Sequence, residues 1–247
     1  MGARLKGSPG GGREDLVSSR MATPIFTHLE GSLAISRHEH VAVLYRNQSA
    51  AYRLVPFVAE GLRKGDLCQV IAAGAFQFET LKQLGTQLKD LDRHLEVGTL
   101  RLHQGPEDLR ELRRLCKQLF ADAEGAHSHG VRWLEDTGWL KTGKLPMPDF
   151  FEFHATMNYR VKHYPSVALC QFALDRIETQ DLFAAIAVHR HLLIGDTLVR
   201  DNPFYIPPEK YLPLPPQERE HDLAQLFREV GFDVDKLLAA IVGYGKL

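Results

Sequence analysis

No long apolar run, no charge excess of either sign and no close cysteine pair stands in this 247-residue sequence. Each absence removes a class of protein. Nothing approaches the ~18 consecutive apolar residues of a membrane-spanning helix, so no span is expected. Lys+Arg number 30 against Asp+Glu 31, a formal net charge of -1. That balance gives no bulk field for nucleic acid or an anionic membrane, and neither is expected as a partner. Cys68, Cys116 and Cys170 lie far apart, each in an apolar run or on an apolar helix face. They read as buried free thiols of a reducing compartment. The first twenty residues are basic and Gly-rich but contain no signal-peptide core, and Lys6 stands where N-myristoylation needs Ser or Thr. A cytoplasmic location is the expectation.

Catalytic signatures are equally scarce. The turn after the first strand, Tyr45-Arg46-Asn47-Gln48-Ser49-Ala50, has no glycine to wrap a phosphate and no Lys-Ser/Thr pair. Gly138–Lys144 spells GxxxxGK, but Leu145 replaces the Mg²⁺-binding hydroxyl, and Pro146 and Pro148 prevent a helix from starting at the lysine. There is no GxSxG and no cysteine in a nucleophile signature. His38 and His40 would share a strand face, yet no third ligand follows at fixed spacing, so neither metal nor cofactor is assigned. The sequence predicts no enzyme.

What is present is an alternation of apolar strand-like runs and amphipathic helices. Runs at His40–Tyr45, Leu67–Ala72, Leu100–Leu102, Val131–Glu135 and Val167–Leu174 read as strands, with a sixth at Leu192–Val199. Helices fall between them: one from Ser49 with Pro56 delaying or kinking it, and one carrying Phe78, Leu81, Leu84 and Leu88. Others begin at Pro106, Pro148 and Thr179. Such an order predicts an α/β fold, a mostly parallel sheet with helices on both faces. Residues 1–34 read as a flexible tail, 35–212 as the domain and 213–247 as a helical extension.

Ligands of open α/β sheets sit beyond the carboxyl ends of the strands. The candidate pocket is therefore walled by Tyr45, Arg46, Glu135, Trp139, Gln171 and His189, with Glu152 and Asn202 as further polar contacts. Glu135-Asp136 is a carboxylate pair suited to acid–base or metal work, and equally to capping a loop. Arg46 and His189 suit an anionic group, the aromatics an apolar body. The Pro- and aromatic-rich strap 201–208 reads as closure of the core edge.

The segments His40–Tyr45, Val55–Leu62 with Gly65-Asp66, Gly98–Leu100, Arg132–Trp139, Glu152–Asn158, Leu169–Phe172 and His189 with Gly195 recur in one order. Asn202-Pro203-Phe204-Tyr205 and Pro207-Pro208-Glu209 complete the series. Together they resemble the MEDS (methanogen/methylotroph sensory) domain, a KaiC/RecA-like relative without a phosphate loop. The resemblance implies a non-catalytic sensory or regulatory module of prokaryotic signal transduction and transcription regulation. Small, hydrocarbon-like ligands are proposed for the family. Family members often carry a helix-turn-helix or a kinase, and neither is visible here. Output is then expected through a protein partner or self-association into a homo-oligomer. The alternative is a nucleotide-binding protein or enzyme with an atypical RecA-like site.

Overall fold

A computed structural model of the chain describes residues 24–29, 33–141 and 144–245. Seven strands form one sheet in the order β5-β4-β6-β7-β3-β8-β9. These are β3 (Glu39–Tyr45), β4 (Leu67–Ile71), β5 (Leu100–His103), β6 (Val131–Asp136), β7 (Ser166–Ala173), β8 (His191–Ile194) and β9 (Thr197–Val199). All pairings are parallel except β8 with β9. Every residue of β3, β4, β6 and β7 is buried, as continuous apolar runs in a doubly covered parallel sheet require. The fold class expected from the sequence is the one observed, consistent with a RecA-like arrangement.

One face carries α1 (Gln48–Tyr52), α2 (Val55–Lys64) and α3 (Gly74–Gln87) over Val43, Val70, Leu134 and Leu169. The other carries α5 (Leu109–Gly125), α6 (Met147–Arg160) and α7 (Thr179–Val188) over Ala42, Trp133, Cys170 and Phe172, with α4 (Leu91–Glu96) lying beside β5. α8 (Pro208–Tyr211) ends just before residue 212, and after it the chain adds α9 (Pro216–Arg219), α10 (His221–Glu229) and α11 (Val234–Tyr244). Leu223, Leu226, Leu237, Leu238 and Ile241 join the same core as α5–α7.

Several local readings are corrected. The helix expected from Ser49 is two helices: Asn47, not Ser49, caps α1 by accepting from the Ala50 amide at 3.0 Å, and Pro56 sits in the first turn of α2. Phe78 is exposed, because the buried stripe of α3 runs through Phe76, Thr80 and Leu84 instead. The single strand expected over Leu192–Val199 is a hairpin turning at Gly195-Asp196, with Gly195 at φ +57°. Residues 25–29 and 33–34 are not tail: β1 (Ile25–Leu29) pairs antiparallel with β2 (Leu33–Ser36). The polar Thr27 points inward there, bonded to Glu60 and, at 3.2 Å, to Arg132. That inward polar residue hid the strand from a hydrophobic pattern. The tail reading for residues 1–23 and 30–32 lies outside the described residues.

Gly61, near the end of α2, serves packing. A Cβ there would lie 2.4 Å from Arg132 Cδ and 2.8 Å from Cys68 Sγ. Gly61→Ala is therefore expected to destabilise the chain by about 1–3 kcal/mol despite alanine's better helix propensity, measured as a lower urea midpoint at unchanged m.

Candidate functional site

The chain leaving β3 turns to one face of the sheet into α1, whereas the chain leaving β7 turns to the other face into α7. Diverging connections open a crevice beyond the carboxyl ends of the strands. A cleft of about 550 Å³ lies there. Val43, Leu44 and Tyr45 supply its floor, Ala50 and Leu54 one wall, Leu193 and Ile194 another. Leu238, Ala239 and Val242 of α11 close the remaining side. At the mouth, Arg46 forms an ion pair with Asp235 in the first turn of α11, both side chains more than half exposed (52% and 72%). An exposed pair of this kind is worth about 0–1 kcal/mol and opens readily.

Of the residues singled out from the sequence, Tyr45 and Arg46 line this cleft together. Tyr45 donates to Asp136 Oδ2 at 2.6 Å; burial and the adjacent carboxylate raise its phenol far above the ordinary range. Burial likewise raises the Asp136 carboxyl. Gln171 lies under α1, donating to Ala51 O at 2.7 Å. Asn202 ties the strap to α7, donating to Ile186 O at 2.7 Å and His189 O at 3.1 Å and accepting from the Phe204 amide. Glu152, expected as a polar contact of the pocket, is instead ion-paired at 2.5 Å with Arg113 of α5 on the outer surface, both side chains roughly half exposed. Thr137–Lys141 is one 3₁₀ turn and α6 starts at Met147; Thr142 and Gly143 of the GxxxxGK stretch lie outside the described residues.

Glu135, Trp139 and His189 belong to a second constellation on the opposite face of the sheet from Gln171. Side chains alternate along a strand, so His40 of β3, Glu135 of β6 and Cys170 of β7 all point toward α6. His154 of α6 comes down between them, and His189 enters from the end of α7. Glu135 is fully buried and accepts from Trp133 Nε1 at 3.0 Å and Trp139 Nε1 at 3.2 Å, so both tryptophans bury their apolar bodies and satisfy their N–H groups on one carboxylate. His154 Nε2 stands 3.3 Å from Glu135 Oε2. His40 Nε2, His154 Nδ1 and Cys170 Sγ form a triangle with edges of 3.2, 3.4 and 3.5 Å. The His40 and His189 rings stand 4.2 Å apart.

All four of these side chains are buried. Burial, then the neighbouring imidazoles, hold His40 well below the ordinary histidine range, and the same causes lower His189 to about 3. Burial raises the Cys170 thiol. Cys68 and Cys116 are also buried and free, as the sequence predicts. His38, paired with His40 in the sequence reading, sits outside the strand at φ +69° and bonds Val161 O at 2.5 Å. It lines the same groove as His40 but takes no part in the buried cluster.

The family model described as MEDS, "MEthanogen/methylotroph, DcmR Sensory domain", matches residues 39–190. The transcriptional repressor DcmR of Methylorubrum extorquens is 22% identical over 182 residues, covering 73% of this chain and 67% of the repressor. No described helix is long and apolar enough to cross a membrane.

Proposed function

This chain belongs to the MEDS family of sensory domains, and from that premise we propose that it binds a small, mainly apolar ligand in the cleft between β3, β8 and α11. The observation that carries this reading is the cleft itself. It is about 550 Å³, a common size for a small-molecule site, its walls are largely aliphatic, and it lies where α/β sheets place their ligands.

The same geometry supports a route for the signal. A ligand with a carboxylate at one end competes with Asp235 for the Arg46 guanidinium, and Asp235 is on α11. Ligand entry then shifts the helix that forms the cleft's wall. Phe232 (68% exposed) and Tyr244 (53% exposed), at the two ends of α11, present large apolar surface to a protein partner or a second copy of the chain. In this reading the chain acts as a regulator without catalysis, as the name of its repressor relative suggests.

Thermal-shift titration with medium-chain apolar acids, alongside ATP with Mg²⁺, tests the proposal. Saturable stabilisation by an apolar acid is expected, with Ala50→Trp, which fills the cleft from α1, weakening it at least ~10-fold at unchanged basal Tm. Stabilisation that Ala50→Trp leaves intact sinks the cleft assignment. Stabilisation by ATP with Mg²⁺ alone promotes a nucleotide-binding reading.

A further inference from the structure

We infer that His40, His154, Cys170 and His189 form a buried four-ligand site for a Zn²⁺ ion, separate from the ligand cleft. The argument begins with which ring nitrogen of each histidine is committed elsewhere. Asn158 Nδ2 faces three carbonyls, those of His154, Ala155 and Val188, at 2.9–3.2 Å. Its Oδ1 is therefore the atom turned to His40 Nδ1 at 3.3 Å, and Nδ1 is the donor. The His40 Nε2 lone pair then points into the cluster. His189 Nδ1 donates to Ala185 O at 2.7 Å, leaving Nε2 buried with no hydrogen-bond partner among the described residues. His154 Nε2 stands 3.3 Å from Glu135 Oε2 without hydrogen-bond geometry, and the carboxylate beside it favours the proton on Nε2, which leaves the Nδ1 lone pair facing inward.

With protons on Nδ1 of His40 and His189 and on Nε2 of His154, the three remaining ring nitrogens gather beside the Cys170 thiol. Without a cation that arrangement is poor: His40 Nε2 and His154 Nδ1 would oppose each other as acceptors at 3.2 Å, with one weak S–H donor to share. A tetrahedral Zn²⁺ removes the conflict. Metal–nitrogen bonds of about 2.0–2.1 Å and a metal–sulfur bond of about 2.3 Å place ligand atoms about 3.3–3.6 Å apart. The observed edges are 3.2, 3.4 and 3.5 Å, and all four ligand atoms lie within 4.8 Å of one another.

The surroundings match those of a metal site. The other nitrogens of His40 and His189 are held by an amide oxygen and a carbonyl, that of His154 lies 3.3 Å from the Glu135 carboxylate, and Glu135 is in turn held by two indoles. Binding releases the Cys170 proton to solvent. The ion's two positive charges are then balanced by one thiolate and the Glu135 carboxylate, which resolves the cost of a buried charge. A groove of about 420 Å³, lined by His40, Asn158, His191 and Asn202 among others, reaches the edge of the cluster and provides a route for the ion. Four protein ligands leave no open position, so the ion's task is to hold β3, α6, β7 and the end of α7 together rather than to activate water.

The test uses the full chain without an affinity tag. Elemental analysis after dialysis is expected to find about one Zn²⁺ per chain. Co²⁺ replacing it is expected to give the intense visible bands of a tetrahedral ion together with a thiolate charge-transfer band. Cys170→Ala should remove that band and lower affinity at least ~10-fold, Glu135→Gln should lower affinity ~10–100-fold, and Cys116→Ala should change neither. A folded wild-type chain that takes up no Zn²⁺, or whose Co²⁺ spectrum is the same in Cys170→Ala, overturns the site and leaves a hydrogen-bonded thiol–imidazole cluster. Copper recovered in place of zinc overturns the choice of metal. Because the spectrum is read on the wild-type chain, a variant that fails to fold does not rescue the proposal.

Discussion

Arg132→Ala is expected to lower the unfolding free energy by about 3–5 kcal/mol, enough to leave a domain of ordinary stability partly unfolded at 37 °C. Arg132 is fully buried on β6, on the face covered by α2. Its Nε donates to Asp66 Oδ2 at 2.7 Å, and its Nη1 donates to Phe57 O at 2.7 Å and Glu60 Oε2 at 3.1 Å. The guanidinium is flanked by the rings of Phe26 and Phe57, with its Cζ 5.0 and 4.7 Å from their centroids. One residue thereby joins the sheet, α2 and the β1 strand. The loss in the alanine variant comes mostly from what stays behind: Asp66, 3% exposed, becomes a buried carboxylate without its counter-charge. Denaturant unfolding of Arg132→Met combined with Asp66→Leu separates the two effects. The double variant should recover most of the loss, because apolar side chains of similar volume replace a buried pair at little cost. A double variant as unstable as Arg132→Ala would mean that the Phe57 carbonyl and the two rings carry the energy instead.

On the opposite face, Glu135→Ala is expected to cost at least about 1–3 kcal/mol, since it removes the acceptor shared by the Trp133 and Trp139 indoles, and an N–H left unpaired in the core costs about that much. Both rings are about 1% exposed, so water does not replace the lost acceptor without opening the core. Glu135→Gln keeps one acceptor oxygen and should lose roughly half as much. The measurement is a pair of denaturation curves read by near-UV circular dichroism, which reports the tryptophans directly. Equal stability of the alanine variant and the parent would show that the indoles find other acceptors.

Much of the architecture was legible in the sequence because a doubly covered parallel sheet writes itself as uninterrupted apolar runs. His40–Tyr45 and Val167–Leu174 are recognisable without a partner, and their pairing in the sheet follows from chain order and crossover handedness. The elements that stayed hidden carry a polar residue inward, as Thr27 does in β1, or are too short for a period to show, as in α4. The candidate site was less legible. Tyr45 and Arg46 are found at the carboxyl edge by a general rule about α/β sheets, but the α11 wall depends on how a distant helix docks. The four-ligand cluster left no local spacing to read: His40 and Cys170 stand 130 positions apart, and they meet only because β3 and β7 are neighbours in register, with Ala42 opposite Cys170. Glu135 and Trp139 were singled out as pocket residues because they end a strand. Alternation of side chains sends Glu135 beneath the sheet, and no pattern of residue types reveals which face a ligand will use.

The position of β3 has a kinetic consequence. This strand precedes the other members of the large sheet in the chain, yet it pairs with β7 and β8, so that Val41 waits for Leu169 and His191. While a nascent chain lengthens, β4, β5 and β6 are able to assemble with their covering helices, whereas seven residues destined for complete burial have no strand to lie against. Loop closure over so many residues is slow and is rewarded only late. Chains halted before β7 should therefore expose Glu39–Tyr45 as a sticky edge, recruit chaperones and aggregate, and refolding from denaturant should slow in proportion to how long that edge stays unmatched.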